Sequence, residues 1–261
     1  MAHFRRGVAG AIALCDVLLI VAVGAASYAL ARAAVRPLTL AREREARFAA
    51  DAAHELRTPL TAIAGVAQAA RNGTPEERRA ALDLIAGRAL AAGALLGDLL
   101  TLARRGGADV LQLEPTDLAG IAGRVAREAR PGAIALEVLL SSAIVDGDER
   151  RLEQLAGNLL TNALRHARSR VTLEVRTEGA SALLRVEDDG PGVEARLRPA
   201  LFERFAKGSD SAGSGLGLAI CRWVARAHGG EVFYEGGSRF CARLPLWRGP
   251  AATPADRRGS P

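Results

Sequence analysis

From Gly7 to Ala31 the chain runs for 25 residues with a single charge, Asp16. In hydrocarbon each backbone N–H and C=O must be satisfied within its own segment, so such a run dictates a helix. At 1.5 Å per residue it reaches roughly 37 Å, enough to cross a core of about 30 Å. Asp16 near its middle should cost about 3 kcal/mol, while Val8, Ile12, Leu14 and the stretch Val17–Val21 return roughly 0.3 to 0.6 each. The sum favours insertion. A cleaved signal peptide is the competing reading, but the run is longer than an h-region, and Arg32 and Arg36 follow it like a stop-transfer flank. Five arginines between 32 and 47 outnumber Arg5 and Arg6, which puts everything after residue 31 on the cytoplasmic side. Residues 1–6 then form a short outer segment and 7–31 a transmembrane helix.

The next stretch, "RAAVRPLTLAREREAR" (32–47), is a charged helical connector, too short for a domain. Two segments of helical periodicity follow, Phe48–Ala70 and Glu76–Arg105, the second with apolar residues at Leu82, Ile85, Ala89, Ala92, Leu96 and Leu99. Between them "RNGTPEE" supplies a stop at Asn72-Gly73, an N-cap at Thr74 and Pro75 at the first helical position, where a missing N–H costs nothing. This predicts an antiparallel helical hairpin over 48–107. One hairpin buries two apolar stripes poorly, so a homodimer forming a four-helix bundle is expected.

Beyond "RRGGAD" (104–109) the texture changes to short β-like runs at 134–141, 170–177 and 182–187, interleaved with helices near 117–129, 148–167 and 216–228. That spells an α/β sandwich over 108–247, followed by a core-less tail, 248–261. The net charge of +6 comes from scattered arginines, Lys207 being the one lysine, and no aromatic-interleaved basic patch appears. A nucleic-acid partner is not expected. Cys15, Cys221 and Cys241 form no CxxC pair and no metal-ligand spacing, and read as small apolar residues.

Four clusters call for chemistry. In "HELRTPL" (54–60) a titratable ring, a carboxylate and a helix-breaker crowd into one helical segment. A surface histidine would be the ordinary explanation for an isolated His-Glu pair. In "QLAGNLLTNALRHA" (154–167) Asn158 and Asn162 sit four apart and share a helix face. Asparagine is a poor helix former, so its double use there needs a reason. "DDGPGV" (188–193) follows a strand and is either a bare turn or a glycine-permitted close approach to a flat base. Lastly "LFERF" (201–205) precedes "GSGLGLAI" (213–220), whose glycines open a helix at a point that favours phosphate. Any of these alone is weak; GxGLG also lacks the preceding strand that a dinucleotide-binding turn requires.

Together, and in this order, they resemble the H, N, G and F boxes of bacterial two-component sensor histidine kinases, over about Phe48 to Leu246. The resemblance implies a dimerisation and phosphotransfer hairpin followed by an ATP-binding α/β sandwich of the Bergerat or GHKL type. It implies a bacterial histidine kinase that uses ATP and Mg²⁺, and the apolar span, which lies outside the resemblance, puts it in the inner membrane. His54 would be the phosphoacceptor, Glu55 its base and Thr58 a helper in dephosphorylating the partner response regulator. Asn162 would ligate Mg²⁺, with Asn158 and Arg165 facing metal and phosphates. Asp188 would accept from the adenine amino group, with Gly190 and Gly192 completing that turn. Phe202 and Phe205 would be the F-box aromatics, and Gly213, Gly215, Leu216 and Gly217 the lid end and phosphate-facing helix start. Pro59, lacking an N–H for the carbonyl of Glu55, would let the helix bend.

Two departures from the family's usual plan stand out. A single span replaces two spans flanking an external sensor, and no relay module of about fifty residues follows "VRPL". The interval from Phe205 to Gly213 is also short, with seven intervening residues. A silent ATP-binding scaffold and a gyrase-type or chaperone-type ATPase are the rival readings. The H-box hairpin argues against the ATPase, and intact His54, Asn162 and Asp188 argue against the scaffold.

Overall fold

A computed structural model describes residues 2–103, 111–208 and 213–249. The chain divides into two compact units, one up to His54 and one from Glu55 onward. The first is wholly helical and belongs to α1 (Ala2–Ala70), which continues through the connector and, without interruption, through Pro59. The expected span 7–31 is helical throughout, but most of its side chains lie outside the described residues, as do the lid residues 209–212 and most of the tail.

In the second unit α1 ends at Ala70 and α2 (Pro75–Ala103) begins after a four-residue turn. The start of α2 is fixed by a reciprocal pair: the N–H of Glu77 donates to Thr74 Oγ1 at 3.2 Å, and the N–H of Thr74 donates to Glu77 Oε2 at 2.8 Å. This capping box satisfies two N–H groups of the turn and first helical residues, and Pro75 occupies the first position as expected. Along α2 the apolar stripe is open in the single chain, Leu82 being 66% and Leu96 47% exposed. Among the described residues α2 is the one helix long and apolar enough to cross a membrane, by length and composition only. Its last turn is different: Leu99, Thr101 and Leu102 are buried. There Arg151 Nη1 donates to Thr101 Oγ1 at 3.3 Å, and Arg204 Nη2 to the carbonyl of Leu102 at 2.9 Å.

The remaining elements make the expected α/β sandwich. They are β1 (Glu114–Asp117), α3 (Leu118–Glu128), β2 (Ala135–Leu140), β3 (Ile144–Gly147), α4 (Glu149–His166), β4 (Arg170–Glu178), β5 (Ser181–Asp188), α5 (Gly217–Ala227), β6 (Glu231–Gly236) and β7 (Arg239–Pro245). Five strands form one sheet in the order β2-β4-β5-β7-β6, with β2 and β4 parallel and the other neighbours antiparallel. β1 and β3 pair separately.

Side chains in a strand alternate faces, and here one face is a greasy floor. Val171, Leu173 and Val175 of β4 register with Asp188, Val186 and Leu184 of β5, and Phe240, Ala242 and Leu244 of β7 continue the row; all are buried. The helices cover it. α4 supplies Leu152, Leu155, Ala156, Leu159, Leu160 and Ala163, a spacing of three and four that fills one stripe. Each fully buried leucine contributes roughly 1.5–3 kcal/mol. The opposite face of the sheet carries charge: Arg185 bridges Glu174 and Glu235, each at 3.2 Å, and Arg243 pairs with Glu231 at 2.7 Å. Cys221 and Cys241 are both fully buried, as apolar residues would be. Burial pushes the Cys241 thiol up to about 11.

α4 owes its placement to its N-terminus. Asp148 Oδ1 caps it by accepting from the N–H of Arg151 at 3.1 Å, while the N–H of Asp148 donates to Nε2 of buried His228 at 3.0 Å. Since Nε2 accepts, the ring proton sits on Nδ1, which donates to the carbonyl of Val224 at 2.8 Å.

Candidate functional site

Asp188 stands at the end of β5, at even spacing from Ala182, Leu184 and Val186. The alternation therefore turns its carboxylate toward the apolar floor, where only 8% of it is exposed. Burial raises its carboxyl above the ordinary range, against the lowering effect of hydrogen bonds from the N–H of Gly190 (2.8 Å) and from Ser238. Its neighbour points the other way. Asp189 accepts from the hydroxyl of Ser169 at 2.6 Å and from the N–H groups of Ser169 and Arg168 at 3.0 and 2.7 Å. These bonds hold its carboxyl well below the usual range, and they tie the end of β5 to the exit of α4.

Two glycines let the chain turn here. A Cβ on Gly190 would meet the carbonyl of His166 at 2.3 Å, and one on Gly192, at φ +75°, would meet that of Gly237 at 2.3 Å. Phe240 packs edge-on with Phe202, ring centroids 6.5 Å apart, and against Tyr234 at 5.5 Å. Phe205 takes a left-handed conformation at φ 61°, unusual for an aromatic residue. It is held there by its N–H, which donates to the carbonyl of Gly215 at 2.9 Å, and by Gly215 itself, where any Cβ would come within 2.7 Å of the Phe205 backbone.

Between these parts lies a cleft of about 470 Å³. Its walls are apolar at Val193, Leu197, Leu201, Leu218 and Phe240 and polar at Asn162, His166, Asp188 and Ser238, with Ala206, Lys207 and Gly208 on one rim. An apolar slot with a few convergent polar groups suits a purine with an attached polar chain. A second cleft, about 580 Å³ at the starts of α3 and α4, is larger. Its main polar groups are already committed, Asp117 and Asp148 to helix caps and Arg124 to Glu149, so the smaller cleft is the better candidate.

Of the residues expected from sequence, Asn162, Asp188 and Gly192 line this cleft. Asn158, one turn before Asn162, donates from Nδ2 to the carbonyl of Gly217 at 3.4 Å and so ties α4 to the start of α5. Phe205 and Gly215 brace the rim rather than line it. Leu216 is fully buried in the core, and Leu218 is the leucine that reaches the cleft. Arg165 is exposed and does not line it, whereas His166, four residues beyond Asn162 on the same helix face, does. His166, Lys207, Ser238 and Phe240 line the cleft without belonging to the expected set; of the four, only His166 has a signal in the sequence, the spacing Asn158-Asn162-His166.

The donor set can be tested against a divalent cation. Among the described residues no group of three or more His, Cys, Asp or Glu could hold a metal ion. Asn162 nevertheless lines the cleft, and its side-chain amide contains a hard oxygen donor. That fits Mg²⁺, which keeps several waters and arrives on phosphate oxygens more often than it occupies an all-protein cage.

In the hairpin, His54 and Thr58 are exposed on α1. Glu55 is only 21% exposed, and its Oε1 receives the ammonium of Lys207 at 2.6 Å.

Comparison with known proteins places this geometry. Residues 44–108 match the model of the His Kinase A (phospho-acceptor) domain, and residues 147–248 that of the histidine kinase-, DNA gyrase B- and HSP90-like ATPases. The sensor protein SphS of Synechococcus elongatus is 36% identical over an alignment of 246 positions that covers 85% of this chain and 59% of that protein. The probable sensor histidine kinase TcrY of Mycobacterium tuberculosis is 37% identical over an alignment of 216 positions that covers 77% of this chain and 46% of that one. Among solved structures, the Acinetobacter baumannii histidine kinase AdeS aligns with a TM-score of 0.62 at 26% identity, covering 74% of this chain and 98% of that chain. Full-length ShkA in complex with AMPPNP aligns at 0.55 and 31% identity, covering 77% and 45%. The two domains thus define a phosphoacceptor hairpin joined to an ATP-binding sandwich. The chain belongs to the bacterial two-component sensor histidine kinases. It spans about half the length of the curated relatives it matches.

Proposed function

We propose that this chain is an ATP-dependent protein-histidine kinase that phosphorylates its own His54 and passes the phosphoryl group to an aspartate of a response regulator. The observation that carries this reading is Asp188, a buried carboxylate lining an apolar cleft of nucleotide size. There it can accept a hydrogen bond from an adenine amino group while Phe240 and the leucines cover the ring. Asn162 would hold Mg²⁺ on the phosphates, and that ion would offset charge on the transferring group. Asn158 positions the start of α5, whose N–H groups favour phosphate.

An imidazole in its neutral form has a lone pair on one ring nitrogen, and that nitrogen of His54 would form the new bond to phosphorus as the bond from phosphorus to the β,γ-bridging oxygen breaks, with ADP leaving. Glu55 would hold the proton on the other ring nitrogen and stabilise the imidazolium character that develops. Thr58 would act in the reverse sense, on the phosphorylated regulator. The working unit would be a dimer through residues 48–107, since α2 leaves Leu82 and Leu96 open. Residues 7–31 would anchor it in the inner membrane as a single pass, with 32–47 as connector and the sandwich, 108–247, in the cytoplasm.

Incubation with γ-labelled ATP tests the reading. Wild type should acquire acid-labile, alkali-stable label and His54→Gln none; label retained by the variant would remove His54 from its role.

A further inference from the structure

Fifteen residues line the candidate nucleotide cleft, and among them, within the described residues, Lys207 is the one lysine or arginine. It is also the only lysine in the chain. Any polyphosphate entering the cleft brings several negative charges into a space whose lining carboxylates, Asp188 and Glu194, repel it. Among the described lining residues Lys207 carries the one lysine or arginine charge that could meet it. Yet its ammonium is engaged elsewhere, 2.6 Å from Oε1 of Glu55, the carboxylate beside the phosphoacceptor histidine in sequence.

We infer that Lys207 is a phosphate-sensing residue shared between the cleft and Glu55: with the cleft empty it holds Glu55, and with nucleotide phosphates in the cleft it turns to them and lets Glu55 go. The inference rests on the cleft being the ATP site proposed above. Three features support the exchange. Lysine is a point charge on a flexible stem with rotatable donors, suited to swapping partners in a way that the flat fork of arginine is not. The pair is half-exposed, Lys207 at 38% and Glu55 at 21%, so it is worth little enough to be outbid by a polyanion. The backbone that carries Lys207 is firmly placed, two residues after Phe205, whose N–H is bonded to Gly215, and three after Arg204, which is bonded to Leu102. A short swing of one side chain therefore suffices, without a domain movement. The consequence for the reaction is order: the carboxylate proposed as base is released when the phosphoryl donor has arrived, and is held when it has not.

Because Lys207 is unique, a carbodiimide cross-link reads the pair directly. The reagent activates the Glu55 carboxyl, the Lys207 amine displaces it to form an amide, and the oxygen leaves on the urea; peptide mass spectrometry locates the bond. The purified chain without nucleotide should give the 55–207 link, and saturating Mg²⁺-AMPPNP should suppress it several-fold. Titration with AMPPNP supplies the second measure. Since linkage is reciprocal, Glu55→Gln should bind AMPPNP about three- to fivefold more tightly than wild type, Lys207→Gln more weakly, and the double variant no differently from Lys207→Gln alone. A link that persists unchanged at saturation, or a Glu55→Gln effect that survives in the Lys207→Gln background, would overturn the exchange while leaving the kinase reading intact. Failure of wild type to bind AMPPNP at all would overturn both.

Discussion

Asp188 and Asp189 are adjacent, chemically identical, and oppositely perturbed. The first is turned inward by strand alternation and its carboxyl is raised by burial; the second is turned out, accepts from Ser169 and Arg168, and is lowered. Lowering means the folded state favours the anion, so Asp189 contributes stability above the unfolded carboxylate range, and that contribution drains away as pH falls from about 4 toward its folded pKa. Asp188 has the opposite sign: its ionised form is a liability at neutral pH that acid relieves. Urea denaturation of Asp189→Asn should therefore show a lower midpoint than wild type at pH 7 and a gap that narrows from about pH 4 downward. A gap constant with pH would mean that the carboxylate charge is not what binds β5 to the exit of α4. The sequence "DDGPGV" made the turn and its two glycines legible, because the demand for a tight turn is local, whereas only the family resemblance distinguished Asp188 from Asp189. Which of the two aspartates faces inward followed from the strand reaching Asp188 itself. His166 shares a face of α4 with Asn158 and Asn162, so its spacing along the chain does record it, whereas Lys207 and Phe240 reach the cleft from other parts of the chain and no spacing records that.

At the scale of elements, the long periodic pieces were legible and the short ones were not. α3, α4 and α5 and strands β2, β4 and β5 fall within a few residues of their expected bounds, since each repeats its pattern several times. β1 and β3 have four residues apiece, too few for alternation to register, and they exist because they pair with each other across the caps of α3 and α4. β6 and β7 went unassigned within "GGEVFYEGGSRFCARLPL", where glycines at both ends and a bulge near Gly236 obscure the period. The turn from α1 to α2 is legible in the sequence down to its cap. Thr74→Ala should cost about 1 kcal/mol of hairpin stability, since it leaves the N–H of Glu77 without its acceptor, and Thr74→Ser should restore most of it. Thermal melts of the three chains compare them, and equal midpoints would show that the hairpin does not depend on this cap.

For the whole molecule, the question is what covers α2. Its open leucines lie on the helix that matches the phosphoacceptor domain, and Leu82 and Leu96, two heptads apart, share one face. If two hairpins pair there, Leu82→Glu with Leu96→Glu should raise the dimer dissociation constant at least tenfold, given about 1.5–3 kcal/mol for each buried leucine. Sedimentation across a concentration series measures this, and an unchanged constant would put the dimer contact elsewhere. At the far end of the same helix, Arg204 grips the carbonyl of Leu102 from the loop that borders the cleft. A helix end ordinarily left to solvent is thereby a handle. With Arg151 at Thr101, Arg204 is one of two guanidiniums that hold the last turn of α2, so a turn of this helix about its axis would pull directly on the loop beside the cleft.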